Sequence, residues 1–409
     1  MPITNSYKRI LMIAPTPFFA DRGCHVRILG EAQALIALGH PLLLCTYHLG
    51  RNVEGVPVDR TIRIPWYKKL SPGPSVHKIY IDVLLLWKVL RACQRFRPDV
   101  IHAHIHEGIV IGKIASTLFR IPMVADLQGS LTQELLEHKF IPKVPWFLRL
   151  MRWIERTIDH MPSHIIISST KTTQDCLDTF GLSPCKVSTI MDGVDLKLFT
   201  PQEKDPALRA ALGISADEIV IAYVGVLTEY QGIHLLMETI PLVVQECPKV
   251  KFLIIGYPNE ELYRQKARLL GIDKWTCFTG KISYQDVPRY LSLAHVAISP
   301  KISTTEANLK VFTYMAMGLP TVVYDNSVNR EILGDLGIYA QLGDIPSLAT
   351  ALVRTLRDRA HALHLGAESR KKAVDDYSWL AVARRLRDIY DSVAYDSVGE
   401  SQSLEPTRG

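Results

Sequence analysis

The chain alternates short apolar runs with longer segments of helical spacing, and it does so twice, with a polar break between the two series. In the first series Arg9–Pro15 reads as a strand and Cys24–Leu38 as a helix that closes at Gly39. Leu42–Tyr47 is a strand, and Val76–Arg97 a helix with Val83, Leu84, Trp87 and Leu90 on one side. Strand Val100–His104, helix Gly108–Phe119 and strands Met123–Asp126, Ile165–Ser168 and Val187–Ile190 follow. The pattern breaks at Asp192–Asp195, and Leu196–Asp205, polar and containing Pro201, reads as a linker. Strands then recur at Ile219–Gly225, Lys251–Gly256, Val296–Pro300 and Thr321–Asp325, with helices between them. Alternation of this kind predicts right-handed βαβ units and parallel sheets covered on both faces.

The expected fold class is therefore α/β, with two doubly wound, Rossmann-like domains facing a cleft. The expected boundaries are an N-terminal domain over 1–195, a linker over 196–206, a C-terminal domain over 207–376, a helix over 377–395 that crosses back, and a disordered Ser/Glu-rich tail over 396–409. The length of 409 residues suits two to three domains at about 150 residues each. In such sheets ligands sit beyond the carboxyl ends of the strands, at the point where strand order reverses, so the residues just after each strand matter most.

Composition narrows the function classes. With 47% hydrophobic and 22% charged residues the chain is expected to be globular. No uncharged apolar run reaches the ~18 residues that span a bilayer, and Met1–Arg9 lacks the apolar core of a signal peptide. Seven scattered cysteines without a Cys-x-x-Cys pair speak against a disulfide framework or a zinc ribbon. These features predict a cytoplasmic protein of a reducing compartment. Residues 1–200 hold 24 Lys+Arg against 16 Asp+Glu, which leaves the front half basic and suits an anionic partner. There is no Gly-x-Gly-x-x-Gly and no Walker motif, which lowers the case for dinucleotide-binding and ATPase readings.

The stretch Ser299–Pro320 carries the strongest chemical signal. A strand ends at Pro300, a polar loop follows, Asn308 is the expected N-cap, and Gly318 with Pro320 stops the helix. The first-turn amides near Leu309 and Lys310, with the charges of Lys310 and Lys301, make a site for phosphate. Glu306 beside it is placed to accept hydrogen bonds from hydroxyls.

These residues resemble the donor-site motif of family 4 glycosyltransferases, retaining enzymes of the GT-B fold. Lys310 through Gly318 is similar to the Lys-x-x-Glu-Tyr-Met-Ala-x-Gly form, and Leu319–Val323 to the strand that follows it. Asp192–Asp195 with Phe199, Tyr223–Gly225 with Gln231 and Gly232, Ala14 through Gly23, Val100–His104, and Tyr377–Trp379 resemble further family motifs, in the family's order, from about Arg9 to Tyr390. The resemblance implies a glycosyltransferase that moves a sugar from a nucleotide-diphosphate sugar to a glycan or lipid-linked acceptor, with retention of configuration. It implies no cofactor, no metal and no nucleic acid. Donor-binding residues would be Gly23, Gly225, Lys301, Asn308, Leu309, Lys310 and Thr313; Glu306 and Gln128 would be catalytic, and His106 and Glu107 would face the acceptor.

The sequence departs from the family where two cations commonly clamp the diphosphate. Those positions read Val226 and Gln231. At about 1.5–3 kcal/mol per charge-assisted hydrogen bond, losing both would cost roughly two to four powers of ten. The second family glutamate falls at Thr313, and Gln128 stands where a histidine is common. Two other readings remain at this point: a catalytically silent scaffold, and a sugar-nucleotide epimerase of the same architecture.

Three further features belong here. Asp126–Ser130 ends a strand, and Ser130 to Gln133 fits a capping box. His102, His104 and His106 alternate; without a fourth partner at ligand spacing and without an Asp-x-Asp pair, His102 and His104 are expected to be core or hydrogen-bonded histidines, and His106 with Glu107, after the strand, is the candidate for an acceptor contact. Lys139–His160 interleaves Trp146, Phe147, Leu150, Trp153, Ile154 and Ile158 with Lys143, Arg149, Arg152 and Arg156. Its stripe is expected to pack inside the N-terminal domain. The competing reading is peripheral contact with an anionic membrane, on the inner face, beside a lipid-linked acceptor.

Overall fold

The computed structural model describes residues 7–20, 23–68, 77–127, 129–137, 140–303 and 308–402. They fall into two compact units, one running up to Asp192 and resuming at Trp379, the other running from Gly193 to Ser378.

The N-terminal unit is built on strands β1 (Ile10–Ala14), β2 (Leu42–Thr46), β3 (Val58–Arg60), β4 (Val100–His104), β5 (Met123–Leu127), β6 (His164–Ile167) and β7 (Val187–Thr189). They form a seven-stranded parallel sheet in the order β3-β2-β1-β4-β5-β6-β7. Helices α1 (Gly23–Ala37), α2 (His77–Phe96), α3 (Ile105–Phe119), α4 (Leu131–Glu137), α5 (Pro145–Asp159) and α6 (Thr170–Phe180) connect them. β1, β4 and β5 are buried along their whole length, as strands covered on both faces must be.

The C-terminal unit repeats the plan with β8 (Ile219–Val224), β9 (Val250–Ile255), β10 (Thr276–Gly280), β11 (Val296–Ser299), β12 (Thr321–Tyr324) and β13 (Ile338–Ala340), parallel in the order β10-β9-β8-β11-β12-β13. Its helices are α7 (Pro206–Ala211), α8 (Ile233–Glu246), α9 (Glu260–Leu269), α10 (Val287–Leu291), α11 (Leu309–Ala316), α12 (Ser327–Leu333), α13 (Ile345–Arg357) and α14 (Arg359–Asp376). Each sheet has its own apolar core, around Leu11, Ile101, Ile109 and Leu85 in one and Phe252, Ile254, Leu236 and Ile298 in the other. The last helix, α15 (Trp379–Gln402), packs on α1 in the N-terminal unit. There Gly30 leaves room for the Trp379 indole: a Cβ at Gly30 would lie 2.1 Å from the ring. The helix continues past residue 395, where the sequence pattern ended it.

Two expectations need correction. α3 begins at Ile105 rather than Gly108, so His106 and Glu107 lie in its first turn and not in a loop. In α5 the apolar stripe packs inward only in part: Ile158 lies against the core and Phe147 and Ile154 are half-buried, but Trp146 and Trp153 are 66% and 63% exposed, Leu150 is exposed, and the fully buried positions carry Glu155 and Asp159. The buried carboxylates explain the difference. Glu155 accepts the Leu131 and Thr132 amides at 2.7 and 3.1 Å at the start of α4, and Asp159 faces His106. The polar anchors take the most buried positions and the two tryptophans are left outside.

Candidate active site

In the C-terminal unit the strand order reverses between β8 and β11, and the residues after these strands converge. Gly225 follows β8 at φ +149°. A Cβ there would lie 3.0 Å from Lys310 Cε, 3.1 Å from its Nζ and 3.1 Å from the Tyr223 hydroxyl, so the turn both needs glycine's backbone and leaves space for the lysine. Lys310 comes from the first turn of α11. Its ammonium donates to Gln231 Oε1 and stands 5.0 Å from the centre of the Tyr223 ring. Gln231 ends a short turn closed by Gly232 at φ +74°, and a Cβ on Gly232 would come within 1.7 Å of the Pro300 carbonyl oxygen. That close approach sets the turn against the end of β11. Tyr314, further along α11, ties both strands: it accepts from the Val224 amide at 2.8 Å and donates to Ile298 O at 3.2 Å.

The position where the family commonly carries a second lysine is thus filled by a neutral amide that holds Lys310. Two ammonium groups there would repel at close range, whereas the Gln231 carbonyl orients one. Lys301 is buried directly after β11. Asn308 is buried, but its side chain does not cap α11. It stands at the N-cap position as expected, but its side chain donates to Ser299 Oγ at 3.0 Å and Asn329 Oδ1 at 2.9 Å instead of serving the helix: the amide is drawn sideways into a buried polar trio. Leu309 opens α11 and Thr313 is buried within it. Glu306 lies outside the described residues, as does Gln128.

In the N-terminal unit the order reverses between β1 and β4. Gly23 opens α1 after β1. After β4, Ile105 has φ +55°, a left-handed conformation unusual for a β-branched residue. His106 is buried with Nε2 3.5 Å from Asp159 Oδ1; burial disfavours its proton, but Asp159 outweighs that and raises its pKa. Glu107 is paired with Lys78 at 2.6 Å, which holds its carboxyl below the usual range against the effect of burial. Ser130 Oγ accepts from the Gln133 amide at 3.3 Å, the backbone half of the capping box.

Behind these residues lies a wholly buried ionic cluster that spacing did not reveal. Arg27 donates to both oxygens of Asp126 at 2.8 Å and to Asp192 Oδ1 at 2.8 Å, and its Nε is 3.1 Å from Glu31 Oε1. His104 Nδ1 is 3.0 Å from Asp126 Oδ2, and His102 Nδ1 is 2.5 Å from the Tyr390 hydroxyl of α15. Burial pushes Glu31 well up, whereas Arg27 and His104 outweigh burial at Asp126 and keep it ionised. Arg27 and Glu31 sit four apart in an otherwise apolar helix, and that pairing was the available signal.

The chain matches two family models, "Glycosyltransferase Family 4" over residues 22–198 and "Glycosyl transferases group 1" over residues 218–358. It is 30% identical to the phosphatidyl-myo-inositol mannosyltransferase of Mycobacterium leprae, over 94% of this chain and 97% of that one. It is 22% identical to the UDP-Gal:alpha-D-GlcNAc-diphosphoundecaprenol alpha-1,3-galactosyltransferase of Escherichia coli, over 81% of this chain and 84% of the relative. In fold it is similar to the sucrose-phosphate synthase of Thermosynechococcus elongatus, with a TM-score of 0.80 over 95% of this chain and 100% of that one, at 18% identity. With paired parallel sheets of GT-B type and a full-length likeness at that level, the chain belongs to the group 1, family 4 glycosyltransferases.

Proposed function

We propose that this glycosyltransferase takes a hexose from a nucleotide-diphosphate donor held at the ends of β8 and β11, and transfers it with retention of configuration. The observation that carries the reading is the convergence of Lys310, Gln231 and Gly225 where strand order reverses. A fixed ammonium beside a glycine turn and a helix start suits a diphosphate whose charge grows as the sugar leaves. Lys310 and Lys301 stabilise that leaving group, and Leu309 and Asn308 belong to the same helix start. Glu306 orients sugar hydroxyls, and Gln128 contacts the sugar near the reacting carbon. The acceptor oxygen forms the new bond to the anomeric carbon as the bond to phosphate breaks. The acceptor's proton passes to a departing phosphate oxygen on the same face, so no protein nucleophile is needed.

The acceptor we assign is lipid-linked and met at an anionic membrane surface; the names of the mannosyl- and galactosyltransferase relatives describe lipid acceptors. The support from this chain is the outer face of neighbouring helices α2, α3 and α5. Ile79, Val83 and Trp87, then Val110, Ile114 and Leu118, then Trp146, Leu150 and Trp153 form three exposed apolar lines. The exposed cations Arg91, Arg95, Lys113, Arg149 and Arg152 accompany them. The carboxylates of these helices are turned away: Glu155 and Asp159 are buried, and half-buried Asp82 and Glu107 are engaged by Tyr47 and Lys78. Apolar lines with charge of one sign suit an anionic bilayer. No described helix is long and apolar enough to cross a membrane.

The donor reading is tested with Lys310→Ala. Sugar transfer or donor turnover, followed by nucleotide release across UDP-, GDP- and ADP-sugars, should drop at least tenfold while the melting temperature holds. An unchanged rate removes Lys310 from the site.

A further inference from the structure

The buried cluster of the N-terminal unit contains an arrangement that its own hydrogen bonds leave unsatisfied. His104 Nδ1 lies 3.0 Å from Asp126 Oδ2, so its outer nitrogen is held by a carboxylate and Nε2 is the ring nitrogen left over. His102 has its Nδ1 engaged by Tyr390, and its Nε2 points the same way as that of His104, because the two residues alternate on β4 with ring centres 4.5 Å apart. Both Nε2 atoms face Glu31 Oε2, at 3.5 and 4.0 Å, and none of these three atoms has a hydrogen-bond partner. All three side chains are fully buried.

Three buried polar atoms thus face one another with no hydrogen bond among them, which is costly in an interior sealed from water. A proton on Glu31 would relieve this poorly, because 3.5 and 4.0 Å are too long for a hydrogen bond to either ring. A cation between the atoms would satisfy all of them. Ligands about 2.0–2.1 Å from a four-coordinate zinc ion stand about 3.3 Å from one another, so closure needs a shift of about 0.2 Å between Glu31 and His102 and about 0.7 Å between Glu31 and His104. The outer nitrogens are already held as ligating histidines are, one by a carboxylate and one by a hydroxyl. Charge agrees: one guanidinium, that of Arg27, is shared among Glu31, Asp126 and Asp192.

We propose that Glu31 Oε2, His102 Nε2 and His104 Nε2 bind one divalent transition cation of the zinc class, as a structural ion of the N-terminal unit. Nitrogen and carboxylate donors at this spacing favour zinc over magnesium or calcium, which take oxygen sets. The ion would join α1 to β4 and, through the Tyr390 hydrogen bond, fix α15. It takes no part in sugar transfer: Lys301 and Lys310, assigned to the departing diphosphate, belong to the other unit.

The test uses the untagged full-length chain. After dialysis the metal content should be about one zinc per chain, removable by a strong chelator with a fall in melting temperature. Co2+ added to the stripped chain should give the intense visible bands of a four-coordinate site. Tyr390→Phe, which keeps the ring and removes the hydroxyl from His102, should weaken Co2+ binding by about 10–100-fold. His104→Gln should abolish it. The proposal is overturned if the stripped wild-type chain takes up no stoichiometric Co2+ and zinc leaves its melting temperature unmoved. It is equally overturned if a folded Glu31→Gln, His104→Gln chain shows the wild-type cobalt spectrum, because the ion then sits elsewhere. Should the variants fail to fold, metal content, chelation and cobalt spectrum of the wild-type chain decide the matter alone.

Discussion

In the N-terminal unit the ends of β1 and β4 lead into charged side chains that turn inward, where Arg27, Asp126, Glu31 and the two histidines are sealed from water. In the C-terminal unit the ends of β8 and β11 lead into Gly225, Gln231 and Lys310, which remain partly exposed. Both sheets reverse strand order at these points. A reversal opens a gap above two neighbouring strands, and the gap can be filled by the chain's own charges or kept for a ligand. A single ammonium held by a neutral amide retains the power to bind an anion. A guanidinium shared among three carboxylates has already spent it.

The contrast makes unequal demands on mutation. Arg27→Met keeps the volume of the side chain and removes the charge that Asp126, Asp192 and Glu31 share. Breaking a buried pair from one side costs about 3–5 kcal/mol, so the variant should melt far below the parent or fail to accumulate. A melting temperature within a degree of the parent would show that the cluster is solvated after all, and the two reversal points would then be alike.

Gly225→Ala probes the other side. The substitution puts a methyl where Lys310 Cε and Nζ pass, in a backbone conformation that alanine resists. Strain of about 1–2 kcal/mol is expected in stability. Donor turnover should fall at least tenfold, because the lysine must leave Gln231. Loss of stability with unchanged turnover would separate the turn from the diphosphate.

How much of this was legible in the sequence depended on the kind of signal. Continuous apolar runs such as Ile10–Ala14 and Phe252–Ile255 announced buried central strands. Of the short edge strands Val187–Thr189 was read, but Val58–Arg60 and Thr276–Gly280, which are half polar, were not, because an edge needs no second apolar face. Lys310 was found because glycine, lysine and helix stop lie close along the chain. Glu31 was missed because it reaches His102 and His104 from another element, and a pattern search along β4 cannot find a partner contributed by α1. α5 was read only in part, because periodicity shows that a helix has two faces but not how deeply each is buried, and buried Glu155 and Asp159 turned the tryptophans outward.

The exposed face of α5 gives a smaller effect. Replacing Trp146 and Trp153 together by Ser should lower sedimentation with anionic phospholipid vesicles by about tenfold, at unchanged melting temperature. Binding should weaken with salt, and neutral phosphatidylcholine vesicles should bind less. Equal binding to both vesicle types, or none, would remove the membrane from the assignment. Concentration-dependent self-association abolished by the same substitutions would identify a second copy of the chain as the occupant.

The smallest effect concerns a histidine outside either reversal point. His295 precedes β11, and its Nδ1 accepts from the Val220 amide at 3.0 Å while Lys204 Nζ stands 2.6 Å from Nε2. Burial, then Lys204, pushes the pKa of the ring from 6.5 down to about 4. Above pH 6.5 the ring is neutral in both folded and unfolded chains and gives no pH dependence. Between 6.5 and about 4 the unfolded ring takes up a proton that the folded one refuses, so stability falls as the pH is lowered through that window. Allowing for solvent screening of a partly exposed site, the loss is roughly 1 kcal/mol. His295→Gln, which keeps an acceptor for the Val220 amide and cannot titrate, should flatten that part of the stability profile. Direct observation of the ring by NMR supplies the stricter check: a midpoint near 6.5 would mean that Lys204 and burial leave it untouched, and that the C-terminal unit is open to water well beyond the turn at Gly225.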